Sequence, residues 1–188
     1  KILEEKVVGP GLGHDSIVQG ARATVLAVAA VAVWMMAIYS FFGTFAVLGI
    51  IFNLCFLFAA LVLVGATLTL PGLAGIALTV GMAVDANVLI YERMREELSL
   101  GKSMRQVVSD GYKHALPSIL DSQITTFLVG VILFFTGSGP IQGFATTLMI
   151  GIITSLFAAI FISRLVFEWL LDRKKPIGFS IKATQNLF

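Results

Sequence analysis

Apolar residues fall in five long runs, at 23–41, 44–67, 72–91, 117–136 and 141–167, separated by short polar or turn-forming breaks. Each run is near or above the ~20 residues that a helix needs to cross the hydrocarbon of a bilayer. The pattern predicts an all-α, polytopic membrane protein: a five-helix transmembrane bundle occupying residues 23–167. Gly43 stands near the first break. The second break, 68–71, ends in Pro71, which suits a helix start because its missing N–H would have no intrahelical partner there. The last, Gly137-Ser-Gly-Pro140, reads as a tight turn, with glycine able to take a positive φ and proline presetting the next segment.

The longest break, 92–115, is polar and carries its own periodicity. Ser103 and Gln106 match a capping box, and Met104, Val107, Val108 and Tyr112 recur at helical spacing. It predicts a short amphipathic helix lying along the membrane face, either as a solvated connector or as a docking surface.

Composition agrees with the run lengths. Of 188 residues, 57% are hydrophobic and only 13% charged, against about a quarter in a soluble domain. The mean hydropathy is +0.95. The net charge of +2 is small, so the positions of the charges matter more than their sum. Arg93, Arg95, Lys102, Arg105 and Lys113 follow the third run, and Arg164, Arg173, Lys174 and Lys175 close the fifth; the turns 68–71 and 137–140 carry none. The positive-inside rule puts 92–115 and the C-terminal tail, 168–188, in the cytoplasm and the two bare turns outside. Five crossings then place residues 1–22 outside. There Lys1, Lys6 and Arg22 are partly offset by Glu4, Glu5 and Asp15. An external start without a signal-peptide pattern leads to the expectation of a further helix and an external domain upstream. The single cysteine, Cys55, excludes an internal disulfide and is expected in the core.

The chemistry lies where charge meets an apolar run. Asp85 sits deep in the third run, where a carboxylate is costly and usually marks a proton, ion or substrate path. Gly81, Asp85, Val88 and Glu92 share one helical face; Gly72, Gly75, Thr79, Ala83 and Ala86 fall on the other, where small residues permit close helix packing. Thr147, Gly151, Thr154, Ser155 and Ala158 form a similar stripe in the fifth run. Asp85 is therefore expected inside a helical bundle, as a proton carrier or as a structural acid holding an interhelical hydrogen bond. No Lys or Arg lies mid-span, so any counter-charge must come from another chain or segment. Asp121 lies in a polar stripe with Ser118, Ser122, Thr125 and Thr126, one turn after Pro117. There it is expected either to take part in the proton path or to rest as a hydrated acid at a helix N-terminus. Gly101-Lys-Ser103 lacks the first glycine of a phosphate loop, and His14 and His114 are isolated, so neither a nucleotide nor a metal site is expected.

Four segments resemble the SecD family of protein-export membrane proteins. Val8-Gly-Pro-Gly-Leu-Gly-His-Asp-Ser-Ile-Val-Gln-Gly20 is similar to the family segment joining its external domain to its second helix. Leu70 to Asn87, ending Gly81-Met-Ala-Val-Asp-Ala-Asn87, resembles the fourth-helix signature, with Asp85 at the family's intramembrane aspartate and Asn87 also in the motif. Leu116 to Thr126 resembles the start of the fifth helix, and Gly139 to Leu148 that of the sixth. The resemblance implies helices two to six of a SecD-like half of a resistance-nodulation-division fold. Residues 1–22 would join it to a periplasmic domain upstream. It further implies a multi-pass protein of the bacterial inner membrane, not an enzyme. That protein would use the proton-motive force to assist preprotein movement and release through SecYEG, with SecF, separate or fused, and YajC as partners. Protons would be the coupling ion, with no other cofactor and no nucleic acid. Another exporter of the superfamily, for drugs or lipids, and a passive membrane scaffold are the rival readings.

Overall fold

The computed structural model describes residues 10–39 and 41–172. Among these residues the chain is helical, with helices α1 (Pro10–Tyr39), α2 (Phe41–Val64), α3 (Leu70–Ser99), α4 (Met104–Thr136), α5 (Gly139–Phe157) and α6 (Ser163–Asp172); a π-helical turn, Ala158–Ile162, joins the last two. Five helical stretches are long and apolar enough to cross a membrane, the fifth being α5, the π-turn and α6 together. They run up and down, so the end of α1, the loop 100–103 and the end of α6 share one end of the bundle, here the basic end. The turns 65–69 and 137–138 share the other. α3 and α5 are the most enclosed helices and α1 the least.

Short turns and small residues hold the helices close. Gly43 lies against the end of α1, where a Cβ would meet the Met35 carbonyl carbon at 2.6 Å and Met36 Cα at 2.8 Å. Thr69 caps α3: its Oγ1 accepts from the Gly72 N–H at 3.1 Å and donates to the Pro140 carbonyl at 3.3 Å, tying the two bare turns together. Pro71 occupies the first turn of α3, where a proline costs no hydrogen bond. At the basic end, Phe167 packs with Phe42 (ring centroids 5.3 Å apart), Tyr91 (5.8 Å) and Tyr112 (6.4 Å). Burial of such rings stabilises the bundle where the helices meet water.

Several expectations are corrected. Residues 92–115 form no separate surface helix. α3 continues to Ser99, and α4 begins at Met104 and runs through Pro117 to Thr136. Pro117 removes one backbone donor but does not end the helix, because the turns on both sides supply the remaining bonds. Asp121 consequently lies well inside α4, away from any helix N-terminus. The capping residues are placed as expected: Gln106 Oε1 accepts from the Ser103 N–H at 3.3 Å and its Oγ at 2.8 Å. The 137–140 turn needs no left-handed residue, since Gly137 has φ −78°. Its lack of a side chain serves packing, as a Cβ there would crowd Ile141 and the Leu133 carbonyl. Positive φ occurs instead at Gly65 (67°) and Gly101 (74°), each just past a helix end. Cys55 is exposed on the outer side of α2 and is not a core residue.

Candidate functional site

The two faces of α3 differ in burial, although Ala86 borders the groove that holds Asp85. Gly72, Gly75, Thr79, Ala83 and Ala86 are all buried, whereas Gly81, Asp85, Val88 and Glu92 are not. Gly72, Gly75 and Thr79 of the buried face lie against α5. A Cβ on Gly75 would meet Thr147 Cβ at 3.3 Å, one on Gly72 would meet Thr147 Oγ1 at 3.2 Å, and one on Gly151 would run into the Thr79 side chain. Thr147, itself buried, donates to the Gly143 carbonyl at 2.9 Å and so adds no unpaired hydroxyl to the contact.

Asp85 stands on the other face, about 22 Å along α3 from its start by helical rise. It opens into a groove of about 180 Å³ between α3 and α4, lined by Met82, Asp85, Ala86 and Leu89 on one wall and Ile119, Ser122, Gln123 and Thr126 on the other. Ser122 and Thr126 donate to the Ile119 and Ser122 carbonyls at 2.9 and 3.0 Å, so they turn acceptor lone pairs to their surroundings. Gln123 is buried, and its Oε1 has no hydrogen-bond partner among the described residues. The expectation that Asp85 is enclosed does not hold within this chain, since the residue is exposed. The reason is geometric: α5 covers the small-residue face, and the described helices leave the carboxylate face open.

The other relay candidates part from Asp85. Asn87, 2% exposed, turns inward; its Nδ2 donates to the Ala83 carbonyl at 3.2 Å and its Oδ1 accepts from Ser163 Oγ at 3.3 Å. Ser163 directly follows the π-turn, whose widened ring its own N–H closes on the Ala158 carbonyl. Asp121 is exposed and does not line the groove; its backbone carbonyl accepts from Thr125 at 2.8 Å.

Sequence reading missed Gln123, Ser163 and an ionic clamp at the basic end. There Lys102 Nζ lies 2.6 Å from Glu97 Oε2 and 2.7 Å from Asp110 Oδ2, and His114 Nδ1 lies 2.8 Å from Glu97 Oε1. Hydrogen bonding to Lys102 holds both the Glu97 and the Asp110 carboxyls below their ordinary range, and the two acids hold Lys102 above its own. Gln123 directly follows Ser122 of the polar stripe, and that adjacency is the signal that could have found it. The pairing of residues 97, 102, 110 and 114 was not, because it depends on how tightly the loop turns.

Among the described residues, five helical stretches long and apolar enough to cross a bilayer, with carboxylates at mid-length of α3 and α4, define a multi-pass membrane protein. The particular family follows from comparison: residues 1–173 match the family of protein export membrane proteins SecD/SecF, C-terminal part, and the chain belongs to that family. It is 51% identical over 180 residues to the protein translocase subunit SecD of Desulfurispirillum indicum, covering 96% of this chain and 35% of that one. It is 47% identical over 181 residues to the SecD of Syntrophobacter fumaroxidans, covering 96% and 34%. The chain thus spans about a third of the length of these relatives. Its fold is similar to the crystal structure of SecDF, a translocon-associated membrane protein from Thermus thermophilus, with TM-score 0.86 and 40% identity over 89% of this chain and 24% of that one. A structure of SecDF in a super-membrane-facing form is similar with TM-score 0.81, again at 40% identity, over 89% of this chain and 23% of that one.

Proposed function

We propose that this chain is the C-terminal membrane part of a SecD-type subunit in which Asp85 carries protons to drive preprotein movement through SecYEG and release on the far side. The observation that carries the reading is the Asp85 carboxylate at mid-length of α3, open to a groove whose facing wall presents Ser122, Gln123 and Thr126. An ionised carboxylate only accepts hydrogen bonds, whereas a protonated one also donates. The Ser122, Thr126 and Gln123 oxygens suit the protonated form, and water or a cation suits the ionised one. Each proton moving down ~100 mV releases about 2.3 kcal/mol, enough to bias two helix packings that differ by that amount.

In this reading SecF, separate or fused, covers the open face of α3 and α4, and a periplasmic domain upstream handles the preprotein. YajC is a further partner. The subunit resides in the inner membrane with residues 92–115 and the C-terminus in the cytoplasm, as the Lys and Arg positions support. Protons are the coupling ion; the role is that of an accessory motor, not an enzyme.

Preprotein translocation into inverted vesicles, with and without an uncoupler, tests it. Asp85→Asn keeps the side-chain shape but cannot ionise, and is expected to abolish the uncoupler-sensitive stimulation while SecF co-purification persists. Full retention of that stimulation would make Asp85 a structural acid. Proton-dependent efflux of a small molecule, with no effect on preproteins, would favour an exporter of drugs or lipids.

A further inference from the structure

A polar layer crosses the middle of the bundle on the side of α3 turned away from Asp85. Its least satisfied member is Asn53, about 18 Å along α2 from its start by helical rise. Asn53 is fully buried, and neither its Nδ2 nor its Oδ1 has a hydrogen-bond partner among the described residues. A primary amide offers two donors and an acceptor, and at mid-bilayer neither solvent nor lipid supplies partners for them. Buried polar groups bind something, because leaving them unpaired is costly. This amide is enclosed by the chain's own helices, so whatever it binds sits inside the bundle and not on its surface.

The neighbours indicate what that is. Gly49 lies one turn before Asn53 on the same face of α2. Apart from its chain neighbours and the backbone of α2, a Cβ on Gly49 would find two heavy atoms within 4 Å among the described residues, Ser163 Oγ at 3.5 Å and Asn87 Nδ2 at 3.6 Å. The Asn53 side chain comes no nearer than 4 Å to that point. Glycine thus leaves room there, and both walls are polar. A span too wide for a direct bond between polar groups suits one intervening water. Both neighbours have capacity to spare. Asn87 Nδ2 uses one of its two hydrogens on the Ala83 carbonyl, and Ser163 Oγ, which lies 3.3 Å from both Asn87 Oδ1 and the Ala158 carbonyl, keeps acceptor lone pairs. α2 and the last stretch run in opposite directions, so Asn53 is level with the residues one turn before Ser163. There the Ser163 N–H closes on Ala158, which releases the Ala159 carbonyl, its partner in an ordinary α-helix.

We infer that Gly49, Asn53, Asn87 and Ser163 form a binding site for an internal water, held by the Asn53 amide on one side and by Asn87 Nδ2 and Ser163 Oγ on the other. A water there accepts from the two amides and donates to the hydroxyl, about the three bonds that a buried water makes. The Ala159 carbonyl is a further acceptor at the same level. The Asn87 donor on the wall favours water over a cation. One molecule then joins α2 to α3 and to the π-turn. The site is independent of the proton path and does not require Asp85.

A structure of the full-length protein in lipid nanodiscs, at a resolution that shows ordered waters, tests this. It is expected to place a water within about 3.2 Å of Asn53 and of Asn87 or Ser163. A dry layer, or a direct bond from Asn53 to either residue, would overturn the site. Unfolding equilibria of variants supply a second test. Gly49→Ala puts a methyl group where the water sits, although outside α2 that methyl meets nothing closer than 3.5 Å. With the water displaced and the Asn53 amide unpaired, the unfolding constant should rise about tenfold. In a dry layer, helix propensity alone would lower it about fourfold. Asn53→Leu removes the amide, so Gly49→Ala in that background should return to the propensity value. An equal loss in both backgrounds would show a steric effect and overturn the water.

Discussion

Asp85 and Asn87 stand two residues apart on α3 and point to opposite sides of it: the carboxylate is exposed in the groove beside α4, and the amide is buried against Ser163 beyond the π-turn. One short motif therefore serves two surfaces. Its acid faces the groove in which a proton would be exchanged, and its amide faces the helix that leads to the basic end. A change at one of these positions need not disturb the other, and the two should fail differently when replaced.

Asn87→Ala and Ser163→Ala should each lower the melting temperature of the detergent-solubilised protein. A double-mutant cycle should show a coupling of about 0.6 kcal/mol, the usual worth of an interhelical hydrogen bond in a membrane. Strict additivity would mean that the 3.3 Å contact contributes nothing.

Gly151→Ala places a methyl group on the Thr79 side chain, and Gly75→Leu drives a branched side chain at Thr147 and Phe144. Both should destabilise the α3–α5 contact by about 1–3 kcal/mol, as overpacking does. At Gly81 a Cβ meets nothing within 4 Å, so Gly81→Ala should be neutral or stabilising by about 0.5–1 kcal/mol from helix propensity. Thermal unfolding of the three variants in one detergent decides it; equal losses at all three positions would contradict the geometry.

Hydrogen exchange over residues 98–104 should report the ionic clamp. Glu97 and Asp110 have carboxyls held low, so their contribution is present above the ordinary values of 4.5 and 3.8 and is lost as pH falls through the lowered folded values. Lys102 is held high, so its contribution is present below 10.5 and is lost as pH rises through the raised value. Protection should therefore be level from about pH 5 to 10 and fall outside that window. Lys102→Met should lower it throughout; protection that stayed at the wild-type level would show that the loop is held by its packing alone.

Cysteine labelling in intact cells checks the orientation. Cys55 is exposed, so the background should carry Cys55→Ser. An impermeant reagent applied outside should reach position 68 or 139 and spare position 103. Labelling at 103 from outside would invert the bundle.

Much of this was legible in the chain. The five runs give the helices because length and hydropathy alone decide what crosses a bilayer, and Pro71, Ser103 and Gln106 mark two helix starts by local chemistry. The α3 faces follow from i, i+4 spacing. Helix ends beyond the apolar runs were less legible: residues 92–99 and 104–116 are polar, but packing on Tyr91, Tyr112 and Phe167 carries the helices into water. Proline at 117 read as a start because propensity is local, whereas a helix already formed on both sides tolerates it. The exposure of Asp85 and the partner of Asn87 were hidden, since both depend on which helix lies beside α3. Nothing in Ala158-Ala-Ile-Phe-Ile162 distinguishes a π-turn from ordinary helix.

That turn sets the phase of the chain beyond it. Each α-helical residue advances 1.5 Å and rotates about 100°, and a widened turn absorbs one residue without the usual rotation. Wound normally, the last helix would carry Ser163 off Asn87. A single deletion among residues 158–162 would thus give a regular helix with Ser163 still aimed at Asn87, whereas rewinding the same residues without the wide turn would misaim it. The irregularity is the spacer that lets one helix set a hydroxyl on an inner amide and still run on to the basic end.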